Sequence, residues 1–401
     1  MTWLLILVTL WCCVQLLILA VHARELRALW GEPVLRHPVL IIESDDWGAG
    51  PLEQAHGLRL LADRLSSFAD ATGQPPVMTL ALVLAIPDGN AIRASGRYAD
   101  RTLEDPLFSP ILKAIRRGVE KGVFALQLHG LEHYWPPSLM ADKGGEVREW
   151  LLCPSPRYTE ELPSHLQSRW TDASVLPSLP LPDEAIRSAV NAETTLFYDI
   201  FGFRASVAVP PTFVWDAAVE AAWAENGIEF VITPGTRNSG RDAGGRPAGS
   251  GERIHNATAG QGVHYLVRND YFEPLLGHTA DQALAALSAK TRLGRPCLLE
   301  THRFNFTGEK EPAARAMGEL SRLLESALQT HPDLRFVSTA ALGRAFIDRD
   351  PQWVERRPGP RLTVLVRRLG QIPRLGKLAR LSGLTLVLSL LAVPCRRKQM
   401  T

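Results

Sequence analysis

Strand-length apolar runs alternate with helical patterns along most of this chain, and that alternation restricts its fold more than any other feature. Val39–Ile42, Val77–Leu84, Val123–Leu128, Ala205–Val209, Ile228–Ile232, Val263–Val267, Cys297–Glu300 and Leu334–Val337 read as strands. Helical spacing fills most of the gaps, over Leu107–Lys121, Asp183–Phe201, Trp215–Asn226, Asp281–Arg292 and Glu311–His331. Such alternation predicts an α/β fold with a parallel sheet covered by helices. Seven or eight strand-helix units favour a closed barrel over an open sheet. In such barrels the chemistry sits at the C-terminal ends of the strands.

Three of those ends carry reactive side chains. The first strand runs into Glu43-Ser44-Asp45-Asp46-Trp47-Gly48, the third into His129-Gly130-Leu131-Glu132-His133, and a late one into Thr301-His302-Arg303. Adjacent aspartates at the end of a buried strand repel one another, and burial raises at least one pKa unless a cation is near. An Asp-Asp pair in a polar turn, or a His-x-x-x-His on a surface, means little alone. Their joint placement at one end of a barrel carries the reading. One carboxylate and two imidazoles suit Zn²⁺ or a similar divalent ion, and three protein ligands leave a further position open, as in catalytic sites. The second carboxylate is then free to act as a general base.

Charge is nearly balanced, with 44 basic and 42 acidic residues, so no nucleic-acid partner follows. The five cysteines show neither a zinc-knuckle spacing nor a disulfide framework. Trp3–Val21 is apolar and long enough to span a bilayer, so residues 1–23 are expected to form a transmembrane or signal-anchor segment. Arg24 and Arg27 lean towards a cytoplasmic main domain by the positive-inside rule, whereas Val21-His22-Ala23 resembles a cleavage site and leans extracytoplasmic. Arg357-Pro358-Gly359-Pro360 marks an expected linker over residues 351–360. Residues 361–401 then read as a basic amphipathic tail lying on anionic headgroups, with Arg361, Arg367, Arg368, Arg374, Lys377 and Arg380 before an apolar stretch and a final Cys395-Arg396-Arg397-Lys398.

On these motifs the sequence resembles the polysaccharide deacetylases, carbohydrate esterase family 4. The resemblance implies a distorted (β/α)₇-type barrel over residues 31–350, here with long loop insertions and membrane-associating termini. Matched to the family's Thr-Phe-Asp-Asp-Gly stretch, Asp45 becomes the catalytic base and Asp46 a metal ligand. His129 and His133 match the spacing of the second motif and become the other ligands; Leu299-Glu300-Thr301-His302 makes His302 the general acid. The sequence departs from the family in three places. Trp47 is inserted before the glycine. The Arg-x-Pro motif survives only as Val209-Pro210-Pro211-Thr212, with valine where an arginine would orient the base, leaving Arg204 or Arg268 as substitutes. The Asp-Trp motif is not recognisable.

The resemblance implies a metal-dependent N-deacetylase, with Zn²⁺ the first candidate, acting on an acetylated sugar of a polysaccharide or a lipid-linked glycan. Trp47, Pro211, Thr212, Arg268, Asp270 and Arg303 are expected at the substrate, with Trp135, Trp150 and Trp170 of the insertion Tyr134–Pro182 available to stack on sugar rings or to anchor their loop. Gly235–Gly262 reads as a mobile surface loop. Two rivals stand beside this reading. One is a non-catalytic carbohydrate-binding component of a polysaccharide synthesis or export system. The other is a glycosidase on a similar barrel, pairing Asp45 with a carboxylate such as Glu132.

Overall fold

The structure is a computed structural model that describes residues 1–392, so the basic cluster Cys395–Lys398 lies outside the described residues. Among them, nine short strands form one sheet. They are β1 (Val39–Gly48), β2 (Met78–Val83), β3 (Phe124–Leu128), β4 (Val207–Ala208), β5 (Phe230–Thr233), β6 (His264–Val267), β7 (Asp270–Tyr271), β8 (Cys297–His302) and β9 (Arg335–Phe336). Every pairing is parallel, in the order β6-β5-β4-β3-β2-β1-β8-β7, and β9 joins the start of β1. The expected strand Ala205–Val209 shrinks to β4, because Pro210 and Pro211 lack the N–H groups that would extend it.

The two outer strands, β6 and β7, are neighbours in sequence. Arg268 N–H still bonds Thr233 O of β5 at 2.9 Å, and Asn269 N–H already bonds Leu298 O of β8 at 3.1 Å. The sheet therefore curls into a distorted barrel whose last gap is closed by the chain itself. Side chains alternate along each strand. Val39 and Ile41 of β1 point inward, against Phe230, Ile232, Leu266 and Leu298, and the helix Thr339–Ile347 plugs the interior with Leu342 and Phe346. Leu40 and Ile42 point outward into the larger core formed with the surrounding helices. The same alternation carries Glu43 and Asp45 inward above the apolar plug.

The segment expected as a linker is part of the body. Val354 bridges Leu35, Glu355 N–H bonds Val34 O at 2.8 Å, and Pro358 opens the helix Pro358–Leu369, a position proline favours. The expected single amphipathic tail is broken into three helices, Pro358–Leu369, Pro373–Leu381 and Leu384–Ala392. Its cations are not all free for headgroups. Arg368 is fully buried and donates to the carbonyls of Leu29, Glu32, Pro33 and Leu293, with its Nη1 3.3 Å from the Glu32 carboxylate. Arg361 stacks on Trp30 at 4.6 Å. The N-terminal helix Thr2–Val21 is long and apolar enough to cross a membrane.

The insertion after β3 has its own small core of Tyr134, Leu139, Val147, Trp150, Leu151, Leu162 and Leu166. Trp150 and Trp170 are buried, and Trp135 lies under Arg169 at 5.3 Å, so these tryptophans anchor the insertion. The loop expected to be mobile contains the hairpin Asn238–Arg241/Pro247–Gly249. Buried Arg241 pins it, donating to Ser168 Oγ at 2.9 Å and to Gly245 O at 2.6 Å.

Candidate active site

The register of β1 against β2 shifts between Ser44 and Trp47, which makes Asp45-Asp46 a bulge. Asp46 takes φ 72°, in the left-handed region that L residues avoid. A straight strand would send neighbouring carboxylates to opposite faces; here both line one cavity. Trp47 is fully buried, and its Nε1 donates to Ser44 Oγ at 2.8 Å. Expected at the substrate, it is the anchor of the bulge instead. Gly48 is required behind it: φ is 120°, and a Cβ would sit 2.2 Å from Val83 O.

The bulge aims Asp46 at the histidine pair. Asp46 Oδ1 lies 3.3 Å from His129 Nε2 and 3.2 Å from His133 Nε2. His129 Nδ1–H donates to Val209 O at 2.8 Å, which fixes the tautomer and turns the Nε2 lone pair towards Asp46. Gly130 permits this turn, since φ is 94° and a Cβ would meet Glu132 O at 2.5 Å. Burial pushes the Asp46 carboxyl up, but His133 and His129 outweigh it and hold the group well below the usual range. Burial drives His133 down to about 3, so it is neutral at pH 7. Burial also depresses His129, but Asp45 and Asp46 prevail and raise it. Buried Asp46 Oδ1 has no hydrogen-bond partner among the described residues. Three donor atoms converging on one buried point, one of them orphaned, fit a divalent cation.

Asp45 is held separately. Arg268 Nη1 and Nη2 donate to its two oxygens at 2.6 and 2.9 Å, and Arg268 Nε donates to Glu43 Oε2 at 2.8 Å. Expected as a substrate contact, Arg268 is buried and spent on these carboxylates. Of the two arginines expected as substitutes for one at Val209, Arg268 is the one that contacts Asp45, while Arg204 lies on the surface over Tyr198. Burial raises the Asp45 carboxyl, but Arg268 and then His129 hold it below its ordinary value, so it is ionised at pH 7.

His302 faces Asp45 in register across β1 and β8. Its Nδ1–H donates to Glu273 Oε1 at 2.6 Å. Burial opposes the imidazolium, but the Glu273 hydrogen bond and nearby aspartates raise its pKa from 6.5 to about 10. The group therefore carries a proton at neutral pH. Its contribution to stability is complete below pH 6.5 and is lost as pH rises through about 10. Glu273→Gln is expected to move the His302 titration down by a unit or more (~1.4 kcal/mol per unit). NMR of labelled histidine checks this, and an unmoved titration would rule out the pairing.

The cavity, about 200 Å³, is also lined by Pro210, Thr212, Phe213, Glu300, Phe304 and two residues of the insertion, Glu160 and Gln167. Thr212 sits at φ 55°, and its Oγ1 accepts a hydrogen bond from Arg241 Nη2 at 2.9 Å. Pro211 is buried beside it and is not among the lining residues. Asp270 pairs with Lys290 at 3.5 Å outside the cavity. Arg303 is buried too: it donates to Asp46 O, binds Glu160 at 2.6 Å and stacks on Tyr158 at 4.7 Å. It thus braces the insertion against the bulge and is not open to substrate. Glu132, the carboxylate offered to a glycosidase, is turned to Arg169 at 2.8 Å. Glu300 is the carboxylate beside Asp45, and burial raises its pKa. Sequence reasoning missed Glu300 and Glu273. Glu300 was findable, because it sits two residues before His302 and so shares its face.

Comparison with known proteins gives the following. The pattern of glycosyl hydrolase family 57 matches residues 166–302, less than half of the chain. Among curated proteins, none matches. A family 4 carbohydrate esterase from Streptomyces lividans superposes with a TM-score of 0.36 at 12% identity, over 76% of this chain and 93% of that one. A putative polysaccharide deacetylase from Mycobacterium smegmatis gives 0.42 at 12%, over 82% and 98%. A 4-alpha-glucanotransferase from Thermococcus litoralis gives 0.41 at 10%, over 78% of this chain and 38% of that one. At such values the site's own geometry has to carry the functional argument.

Proposed function

We propose that this chain is a divalent-metal-dependent hydrolase that removes an N-acyl group, acetyl in the simplest case, from a sugar of a glycan. One observation carries the reading: the donor set Asp46, His129, His133 lies beside an ionised Asp45 and a protonated His302 in one cavity. The three donors suit zinc best. Asp46, His129 and His133 would hold the ion, and it would supply Lewis-acid chemistry at the acyl group and water.

The chain's own residues do the rest. Asp45, kept ionised and oriented by Arg268, accepts the proton of the attacking water. His302, kept charged by Glu273, delivers a proton to the departing amine. Thr212, in its left-handed turn, is the candidate backbone donor to the oxyanion. Glu160 and Gln167 close the cavity over the sugar, which excludes bulk water. Asp45→Asn and His302→Ala are each expected to lower acetate release by about 100-fold or more, in chains whose circular dichroism shows that the fold is retained. Full activity in both variants would defeat these roles.

A glycosidase is the second reading, favoured by the family 57 match over residues 166–302 and by Glu300, whose raised pKa would suit an acid beside Asp45. Against it, a pair of carboxylates makes no use of the donor set Asp46, His129 and His133. New reducing ends in place of acetate would decide for the glycosidase.

A further inference from the structure

The first and the last of the described helices meet. Ile18 and Leu29 pack with Leu369, Leu375, Ala379 and Leu384 in one apolar cluster. The helices Pro373–Leu381 and Leu384–Ala392 form a V bent by 82°, with Gly383 at φ 77° at its tip. At that tip Ser382 O accepts two hydrogen bonds from the N-terminal helix, from Trp11 Nε1 and Gln15 Nε2, each 2.8 Å. Gln15 is buried in the contact.

A helix break exposed to water has its carbonyls solvated. In a bilayer each freed backbone group needs a protein partner. Two side-chain donors on a helix apolar enough to span are spent on this one carbonyl. Gln15 lies about 10 Å along the helix from His22, at 1.5 Å per residue, which matches the roughly 5–10 Å depth of an interfacial element. Leu381 at the tip and Leu386, Leu390 and Leu391 along the second leg are 62–77% exposed. Arg374 and Lys377 are exposed on the leg leading to it, and Arg380 folds its Nε back onto Gly376 O at 3.2 Å. Apolar groups at the tip and along the second leg, with long cations on the first, fit an anionic leaflet.

The geometry points to a single membrane-seated unit, a spanning helix Thr2–Val21 with the C-terminal V inserted beside it as a shallow re-entrant element in one anionic leaflet. This unit grips the barrel by its base. Arg368 ties it to Leu29–Pro33, just before β1, and to Leu293, before β8, and Arg295 Nη2 holds Glu32 at 2.6 Å. Asp45 and His302 lie at the opposite ends of β1 and β8. The run Arg295–His302, at about 3.3 Å per residue, puts roughly 20 Å between base and catalytic end. On the deacetylase reading given above, the substrate is therefore a glycan chain extending well beyond the lipid surface, and a sugar fixed directly to a lipid is out of reach.

The test uses the full chain in phosphatidylcholine–phosphatidylglycerol vesicles, in a background carrying Cys12→Ser, Cys13→Ser, Cys153→Ser and Cys395→Ser. A nitroxide at Leu386→Cys is expected to relax with oxygen and not with a water-soluble nickel chelate. A nitroxide at Leu52→Cys, on the exposed turn beyond β1 at the catalytic end, is expected to show the reverse. Gln15→Ala should return the Leu386 label to water while helix content is unchanged. Nickel access at Leu386 in the parent, or oxygen-dominated relaxation at Leu52, would overturn the arrangement. In the same vesicles, acetate should be lost from an N-acetylated oligosaccharide carried on a long spacer and not from an N-acetylated monosaccharide fixed directly to lipid. Hydrolysis of the direct conjugate would overturn the substrate class. Release from neither would refute the deacetylase reading and the substrate class resting on it, leaving the seating to the label results.

Discussion

Replacing Arg268 by alanine is expected to cost the fold about 3–5 kcal/mol, as removal of one partner from a buried ion pair commonly does, and to abolish turnover. Glu43 and Asp45 would be left on one face of β1 without the guanidinium that bridges them. Urea unfolding at pH 7 measures the first effect and acetate release the second. Arg268→Lys separates them. It keeps a charge in place but cannot reproduce the three-donor fork, so much of the stability should return and little of the activity. Adding Glu43→Gln to Arg268→Ala removes one of the orphaned charges, and the pair of substitutions should be less than additive. A wild-type melting curve and wild-type rate in Arg268→Ala would mean that Asp45 needs no such support.

The second large effect concerns the donor set. Asp46→Ala combined with His129→Ala is expected to eliminate zinc retained through dialysis, measured by plasma mass spectrometry, together with all acetate release. Stability reports the same event without relying on activity. An ion that binds only the folded chain stabilises it by about 2.7 kcal/mol at 100 times its Kd, so wild type should melt higher in zinc and the double variant should not. If zinc leaves the wild-type melting curve where it is, the metal reading falls, and the glycosidase pairing of Asp45 with Glu300 becomes the one to pursue.

Much of this architecture could be read from the chain. Strand-length apolar runs separated by helical patterns located most of the sheet strands, and the Asp-Asp, His-x-x-x-His and final His motifs at their ends fall into one cavity. Trp47 looked like an insertion that damaged the first motif. Its burial shows why a bulky residue follows the bulge: it packs outside while both aspartates turn in. The base-orienting arginine was harder to place. Arg268 reaches Asp45 across 223 positions of sequence, and only the curl of the sheet brings the link between β6 and β7 opposite β1. Trp150 and Trp170 were ambiguous for another reason. Indole rings that hold a loop and rings that face a sugar have the same composition, and only burial separates them.

The line where β6 gives way to β7 has a consequence for how the protein matures. The outermost strands of the sheet share no ladder there, so that flank is sealed by two consecutive peptide N–H groups and by Arg268 crossing the lumen to Glu43 and Asp45. The side chain that orients Asp45 is thus also the clasp of the barrel. A nascent chain that has already brought β1 and β3 together, and with them Asp46, His129 and His133, still has an undirected Asp45 until the clasp engages. On the proposed mechanism, reactivity would wait for ring closure, because Asp45 is oriented only by a residue on the closing segment.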